Sequence, residues 1–253
     1  MRIDINADMG ESFGAYTIGH DAGLMQSITS ANIAAGFHGG DPSVLRATIQ
    51  LAKAHGVAVG AHPSYPDLVG FGRRAMAVSP KEAEDFVLYQ IAAVGGVARA
   101  EGVRMQHVKA HGELFNVAAK DPELAMAIVR AVAAYDGSLI VFAMPRSEVL
   151  KAGKALGLRT ASEVFADRMY EPDGSLMSRR KAGAVIHAPD VVVARAVRMV
   201  KERSVVASDG TVVPLEAETI CVHGDTPGSD DLAAKIRAGL EHAGIVVRAV
   251  GAN

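Results

Sequence analysis

The feature that most constrains the fold is an alternation, along the 253-residue chain, of short apolar segments with longer segments of helical periodicity. The apolar segments are rich in β-branched residues and are typical of buried strands; they lie at residues 3–7, 31–35, 57–61, 106–110, 139–143, 159–165, 219–223 and 245–248. Such an alternation indicates parallel strands covered by helices. Seven or eight strand–helix units in about 250 residues predict a closed or nearly closed barrel, with an open doubly wound sheet as the alternative.

Helix starts are marked by residues that satisfy free backbone N–H groups. Ser79 and Glu82 have the spacing of a capping box, with Pro80 at the first helical position. Asp41 and Asp121 each precede a proline in the same way. These signals predict helices that begin near residues 42, 80 and 122.

Two segments fit the alternation poorly. Residues 168–183 are polar and glycine-rich, whereas residues 204–217 have valines on both sides of Ser208-Asp209-Gly210-Thr211 and predict a small hairpin. No linker-like or low-complexity tract divides the chain. Residues 1–253 are therefore expected to form a single domain.

Composition excludes several classes of protein. Apolar residues make up 49% of the chain, which is enough for a large core. The net charge of −2 provides no basic footprint for nucleic acid. The lone cysteine, Cys221, cannot form an internal disulfide, and no apolar run is long enough to cross a bilayer. We therefore expect a cytoplasmic protein without nucleic-acid or membrane partners.

Unusual polar residues collect at the predicted carboxyl ends of the strands, where parallel α/β folds form their sites. In chain order these are Asn6, Asp8, Glu11, Asn32, His38, Gly39, His62, Arg73, Lys109, His111, Glu163, Arg168, His223 and Asp225. Four of the nine histidines are among them, each near a different strand end. This placement predicts one convergent pocket.

The first strand presents Asp4, Asn6 and Asp8 on one face, because side chains alternate along a strand. In a barrel that face is the lumen, where carboxylates need chemistry or hydrogen bonds to offset their burial. A solvated edge strand is the alternative.

The histidines and acids allow two kinds of chemistry. Asp8, His38, His62 and His223 are candidate ligands for zinc, manganese or iron, although no compact ligand motif is present. The same histidines could instead transfer protons. Lys109, inside an apolar strand, is expected to pair with an acid, bind an anion or have a lowered pKa. Cys221 is expected to be a buried, inert thiol.

Six ordered sequence blocks resemble the LamB/YcsF family, and the resemblance runs from Ile3 to about Ala249. The blocks are DINADMGESFG, NIAAGFHGGDP, GAHPSYPDLVGFGRR, VKAHGELFN, EVFADRMYEPDGSLMSR and CVHGDTPG. The second block departs from the family pattern at Ala35, where the family usually has cysteine, and this weighs against an essential nucleophile there. The histidines, Lys109 and the acids are intact.

The resemblance implies an α/β fold, a seven-stranded, distorted TIM-like β/α barrel similar to the glycoside hydrolase/deacetylase fold. It also implies the ATP-dependent hydrolytic opening of 5-oxo-L-proline to L-glutamate, together with 5-oxoprolinase subunits B and C. No P-loop or G-x-G-x-x-G motif is present. We therefore expect the partners to carry out the phosphorylation with ATP and Mg²⁺, and this chain to act on the activated lactam.

Within this hypothesis the catalytic residues are Asp8, Glu11, His38, His62, Lys109, His111 and His223. The substrate-binding residues are Asn6, Asn32, Gly39, Arg73, Glu163, Arg168 and Asp225. His38 and His62 flank the reacting carbon, Lys109 stabilises the oxyanion or phosphoryl group, and an arginine holds the substrate carboxylate. Two alternatives stay open: a metal-dependent hydrolase of N-acyl or acetylated sugars, and a non-catalytic ligand-binding subunit. The metal content, the binding of ATP by this chain itself, which the family resemblance implies, and the formation of a homo-oligomer also stay open.

Overall fold

Parallel strands close into a barrel in the computed structural model, which describes residues 1–179, 181–224 and 228–252. The strands are β1 (Arg2–Met9), β2 (Ser30–Ala34), β3 (Ala58–His62), β4 (Met105–Lys109), β5 (Ile140–Ala143), β6 (Arg159–Val164), β7 (Ser204–Val206), β8 (Val212–Pro214), β9 (Thr219–Val222) and β10 (Val246–Val247). Seven of them form the barrel in the order β1-β2-β3-β4-β5-β6-β9, and the pairing of β9 with β1 closes it. The predicted barrel is thus confirmed, and the open sheet is wrong.

All eight predicted barrel-type strands are present, each with its ends within two residues of the predicted ends. The last one, β10, pairs only with the beginning of β1, because Asp4 and the residues after it pair with β9 instead. β10 therefore lies beside the closed ring. The predicted hairpin is also confirmed: β7 and β8 are antiparallel, with Val205 opposite Val213.

Helices surround the barrel. Within the described residues they are α1 (Asp21–Leu24), α2 (Pro42–His55), α3 (Pro80–Ala100), α4 (Gly112–Ala118), α5 (Pro122–Asp136), α6 (Glu148–Ala155), α7 (Pro189–Lys201) and α8 (Ser229–His242). The predicted caps are in place: Ser79 and Glu82 form both bonds of the capping box, and Asp41 and Asp121 accept from the first turns of α2 and α5. The sequence analysis did not identify the short helices α1 and α4.

The alternation of side chains along β1 separates two environments. Ile3 and Ile5 belong to the large apolar cluster that the strands and helices share. Asp4, Asn6 and Asp8 are buried on the other face, where they bond to side chains from other strands. The lumen is therefore polar beside β1. The prediction that these three side chains face the lumen is confirmed, and the alternative, that the first strand is a solvated edge strand, is wrong.

No described helix is both long enough and apolar enough to cross a membrane.

Candidate functional site

A cavity of about 870 Å³ opens at the carboxyl ends of the barrel strands. Its polar lining comes from several strand ends and from the loops that follow them. The predicted site residues on its wall are Asp8, His62, Arg73, Lys109, His111, Arg168 and His223. The sequence reasoning thus placed these side chains correctly at one pocket.

Asp8 and Lys109 form an ion pair in this wall. Lys109 Nζ donates to Asp8 Oδ1 at 2.7 Å and lies 3.2 Å from Glu163 Oε1. Burial alone lowers the pKa of Lys109, but the negative charge of Asp8, together with that of Glu163, outweighs it and raises this pKa well above its ordinary value. The lysine is therefore an ammonium that is paired with acids, one of the three predicted states.

The acids of this pair differ in their environment. Burial raises the pKa of Asp8, but the charges of His62 and Lys109 more than reverse this effect and leave the pKa well below its ordinary value. Burial is the dominant effect on Glu163, whose pKa is raised. Asp8 is thus the anion that faces the cavity, whereas Glu163 lies behind Lys109 and does not line the cavity.

Deeper in the lumen, amides and hydroxyls form a continuous hydrogen-bond network. Asn32 Nδ2 donates to Asp8 Oδ1 and Asn6 Oδ1, and its own Oδ1 accepts from His107 Nε2 at 2.9 Å. Asn6 donates to Thr219 Oγ1 at 2.6 Å. Asn6 and Asn32 were predicted to bind substrate, but neither lines the cavity: Asn32 holds Asp8, and Asn6 holds Asn32.

Four further predicted residues meet beside the cavity. Glu11, His38, His62 and His111 each place one potential ligand atom within 4.8 Å of the others, and all four side chains are buried. His111 Nδ1 lies 3.0 Å from His62 Nε2, and Glu11 Oε1 lies 3.1 Å from His38 Nε2. We refer to these four residues as the histidine cluster.

The histidine cluster differs from the predicted metal set. His38 and His62 belong to both, and Asp8 Oδ1 lies 3.2 Å from His62 Nε2, at the margin of the cluster. His223 instead pairs with Asp167, whose Oδ2 is 3.1 Å from His223 Nδ1. Burial, together with the charge of neighbouring histidines, lowers the pKa of His38 and of His111 well below the ordinary value. Both rings are therefore neutral at pH 7.

Two predicted arginines, Arg73 and Arg168, line the cavity together with Arg179. Arg168 is held by the carbonyl oxygens of Met177 and Ala184, and burial and the charge of Arg179 lower its pKa to about 10, so that it stays charged at pH 7. Arg73 lies 5.1 Å from the centre of the Phe71 ring. Both predicted arginines line the cavity, so their positive charges would attract an anion bound there.

Gly39, which was also predicted as a site residue, does not line the cavity. Gly39 packs against the backbone of Glu11, where an added Cβ would lie 2.7 Å from the Glu11 carbonyl oxygen. Its role is therefore close packing of two loops. Cys221 is buried 2.9 Å from Lys109 Nζ, and burial raises the pKa of its thiol well above the ordinary value. Asp225 lies outside the described residues.

The sequence reasoning missed part of the wall. Residues 175–179, from the segment that fits the alternation poorly, line the cavity together with Lys120 and Asn116. The segment is anchored across the barrel mouth by bridges between Arg168 and Val185 and between Tyr170 and Leu176. The available signal was its position directly after a strand, since loops at this end of a barrel build the site.

Comparisons with known proteins show the family and the fold of this chain. The model of the LamB/YcsF family matches residues 3–253. A protein of Bacillus subtilis (strain 168) that is named as a 5-oxoprolinase subunit is 53% identical over 98% of this chain and 97% of its own length. The structure of a lactam utilization protein from Thermus thermophilus is 46% identical, covers 98% of this chain and 100% of its own, and superposes with a TM-score of 0.94. A family 4 carbohydrate esterase from Streptomyces lividans shares the fold alone, at 11% identity over 99% of this chain and 93% of its own, with a TM-score of 0.51.

Proposed function

The chain belongs to the LamB/YcsF family, and from this membership we propose that it acts in a 5-oxoprolinase as the subunit that opens the lactam ring of 5-oxo-L-proline to give L-glutamate. The observation that carries the proposal is the Asp8–Lys109 pair on the wall of a cavity that also presents His223, Arg73 and Arg168. In one cavity, Asp8 provides an anion, Lys109 a fixed cation, His223 a proton carrier, and the two arginines an anion-binding wall.

A lactam is an unactivated amide, and phosphorylation of its oxygen turns C5 into a good electrophile. In the proposed sequence, partner subunits B and C perform this step with ATP and Mg²⁺. Water then adds to C5 in this chain, the C5–N bond breaks, and both protons of the water end on the ring nitrogen. The product is the acyl phosphate of glutamate, which a second water hydrolyses to glutamate and phosphate.

The cavity residues have complementary roles in that sequence. His223, held by Asp167 through Nδ1, presents Nε2 to the cavity and acts as the general base for the water and then as the acid for the nitrogen. The Lys109 ammonium stabilises the negative charge that develops on oxygen at C5. The guanidinium groups of Arg73 and Arg168 bind the carboxylate and the phosphoryl group.

The test is glutamate release from 5-oxoproline by the purified chain, with ATP, alone and with subunits B and C. We expect release only in the complete mixture and only with ATP. A mixture in which Lys109→Met replaces the native chain should be inactive, whereas one with Lys151→Met, which changes an exposed lysine on α6, should be fully active. Equal release with and without this chain would overturn the proposal.

A further inference from the structure

Two facing ring nitrogens of the histidine cluster, one of His62 and one of His111, can only accept hydrogen bonds when both rings are neutral. His62 Nδ1 faces the carbonyl oxygen of Lys109 at 2.8 Å, and His111 Nε2 faces that of Phe71 at 3.0 Å. A carbonyl oxygen only accepts, so each of these nitrogens carries the hydrogen of its ring. The other nitrogens, His62 Nε2 and His111 Nδ1, therefore present lone pairs to each other across 3.0 Å when both rings are neutral.

Carboxylates add to the negative potential at this point. Glu11 Oε1 lies 3.5 Å from His111 Nδ1, and Asp8 Oδ1 lies 3.2 Å from His62 Nε2. Lone pairs in contact repel each other, and burial excludes the water that would screen them. A positive species between the rings would remove the repulsion, and a proton or a metal ion could supply it.

Three contacts between ligand atoms of the cluster fit a metal ion, and all four ligand atoms lie within 4.8 Å of one another. Zn²⁺ binds histidine nitrogen and carboxylate oxygen at about 2.0–2.2 Å, so that neighbouring ligands of a tetrahedral site are about 3.3–3.5 Å apart. In the cluster, the contacts of Glu11 with His38 and His111 are 3.1 and 3.5 Å, and the contact between His62 and His111 is 3.0 Å. Carbonyl oxygens that fix the far nitrogens of two rings are also typical of histidine ligands to metals.

We propose that Glu11, His38, His62 and His111 bind one divalent transition-metal ion, with zinc preferred for a set of three imidazoles and one carboxylate. Four protein ligands fill a tetrahedral shell, which is typical of structural rather than catalytic zinc. The ligands follow or end the consecutive strands β1, β2, β3 and β4. The ion therefore clamps four loops at the mouth of the barrel and fixes His62 and His111 in the cavity wall.

The ion-binding step does not depend on the proposed function. His38 and Glu11 do not line the cavity, so the ion is reached from the cavity side only through His62 and His111. The prediction concerns binding and stability, and it can be tested without substrate, ATP or partner subunits.

For the test, metal is removed from the full chain with a chelator, and the chain is then titrated with Co²⁺. Binding is measured by visible absorption, because Co²⁺ in a tetrahedral site absorbs visible light strongly. We expect saturation at one ion per chain, displacement by Zn²⁺ and a higher melting temperature for the loaded protein. Glu11→Gln and His111→Ala should each weaken Co²⁺ binding at least about tenfold. His55→Ala, which removes an exposed histidine at the end of α2, should bind as the native chain does.

Circular dichroism of the metal-free variants separates a lost ligand from a lost fold. The proposal is overturned if the native chain gives no tetrahedral spectrum, or if folded Glu11→Gln and His111→Ala both keep it. Stoichiometric binding without glutamate release in the complete mixture would overturn the proposed function and leave the metal site standing. Glutamate release by a chain that binds no ion would overturn the metal site and leave the proposed function standing.

Discussion

Lys109 Nζ and Asp8 Oδ1 lie 2.7 Å apart at the wall of the cavity, one at the end of β4 and the other near the end of β1. Their side chains are 4% and 10% exposed, so water screens this pair only weakly. Removal of one partner leaves the other charge buried without compensation, which makes the pair a sensitive test of both stability and chemistry.

We expect Lys109→Met to lower the free energy of unfolding by about 3–5 kcal/mol, because Asp8 and Glu163 then lose their common cation. Glutamate formation by the complete mixture should fall at least about a hundredfold. Urea unfolding and the glutamate assay measure the two effects. The double variant Asp8→Asn/Lys109→Met should be less destabilised than the sum of the single variants, and simple additivity would show that the two groups do not interact.

Asp167 is a positioning residue, because it acts on substrate only through His223. Asp167→Asn should reduce kcat about a hundredfold, since the ring loses the carboxylate that orients it. KM should change little, because Asp167 does not line the cavity. Asp231→Asn, an exposed acid in the first turn of α8, is the matched control. An unchanged kcat in Asp167→Asn would remove His223 from the proton-transfer role.

Asp4 gives the pH dependence of stability an unusual sign. Burial in the lumen, opposed in part by hydrogen bonds from Thr219, Thr29 and Ser30, raises the pKa of this carboxyl from 3.8 to about 6. Between these values the unfolded chain releases a proton that the folded chain retains, so the contribution of Asp4 to stability is complete below pH 3.8 and is lost as the pH rises to about 6. The loss amounts to about 3 kcal/mol.

The asparagine of the Asp4→Asn variant cannot titrate, so the free energy of unfolding of this variant should not show the loss between pH 3.8 and about pH 6. The free energy of unfolding of the variant, relative to the native chain, should therefore rise by about 2.4 kcal/mol from pH 4 to pH 7, as measured by urea unfolding at each pH. Parallel profiles for Asp4→Asn and the native chain would mean that Asp4 is ionised in the folded protein throughout this range.

Gly72 supports the histidine cluster through its lack of a side chain. Its φ of +64° favours glycine, and an added Cβ would overlap Ser64 Oγ and lie 2.9 Å from His111 Cδ2. Gly157 has a φ of +73° with open space around it. Gly157→Ala should thus cost only the backbone strain, about 1–2 kcal/mol.

Gly72→Ala should cost about 1–3 kcal/mol more than Gly157→Ala in urea unfolding, because His111 and Ser64 must also move. Co²⁺ binding should weaken in Gly72→Ala and stay unchanged in Gly157→Ala. Equal destabilisation by the two substitutions would show that the loop accommodates the methyl group without displacing His111.

Local signals in the sequence were sufficient for most of the fold. The alternation of apolar and helical segments located the barrel strands, and Ser79, Asp41 and Asp121 marked the helix starts, because periodicity and capping depend on neighbours within a few residues. Periodicity did not locate α4, which has only seven residues. It also did not locate the wall segment of residues 175–179, which lines the cavity and is neither a helix nor a regular strand.

The sequence by itself determined which side chains reach the mouth of the barrel, since a residue at a strand end must lie there in a parallel α/β fold. Only the tertiary structure decided their partners: Lys109 with Asp8, His223 with Asp167, and His111 with His62. Likewise, Asn32 became a support of Asp8 and Asn6 a support of Asn32, and neither lines the cavity. Partners from separate strands are set by the register and closure of the barrel, and this three-dimensional information leaves no fixed spacing in the chain.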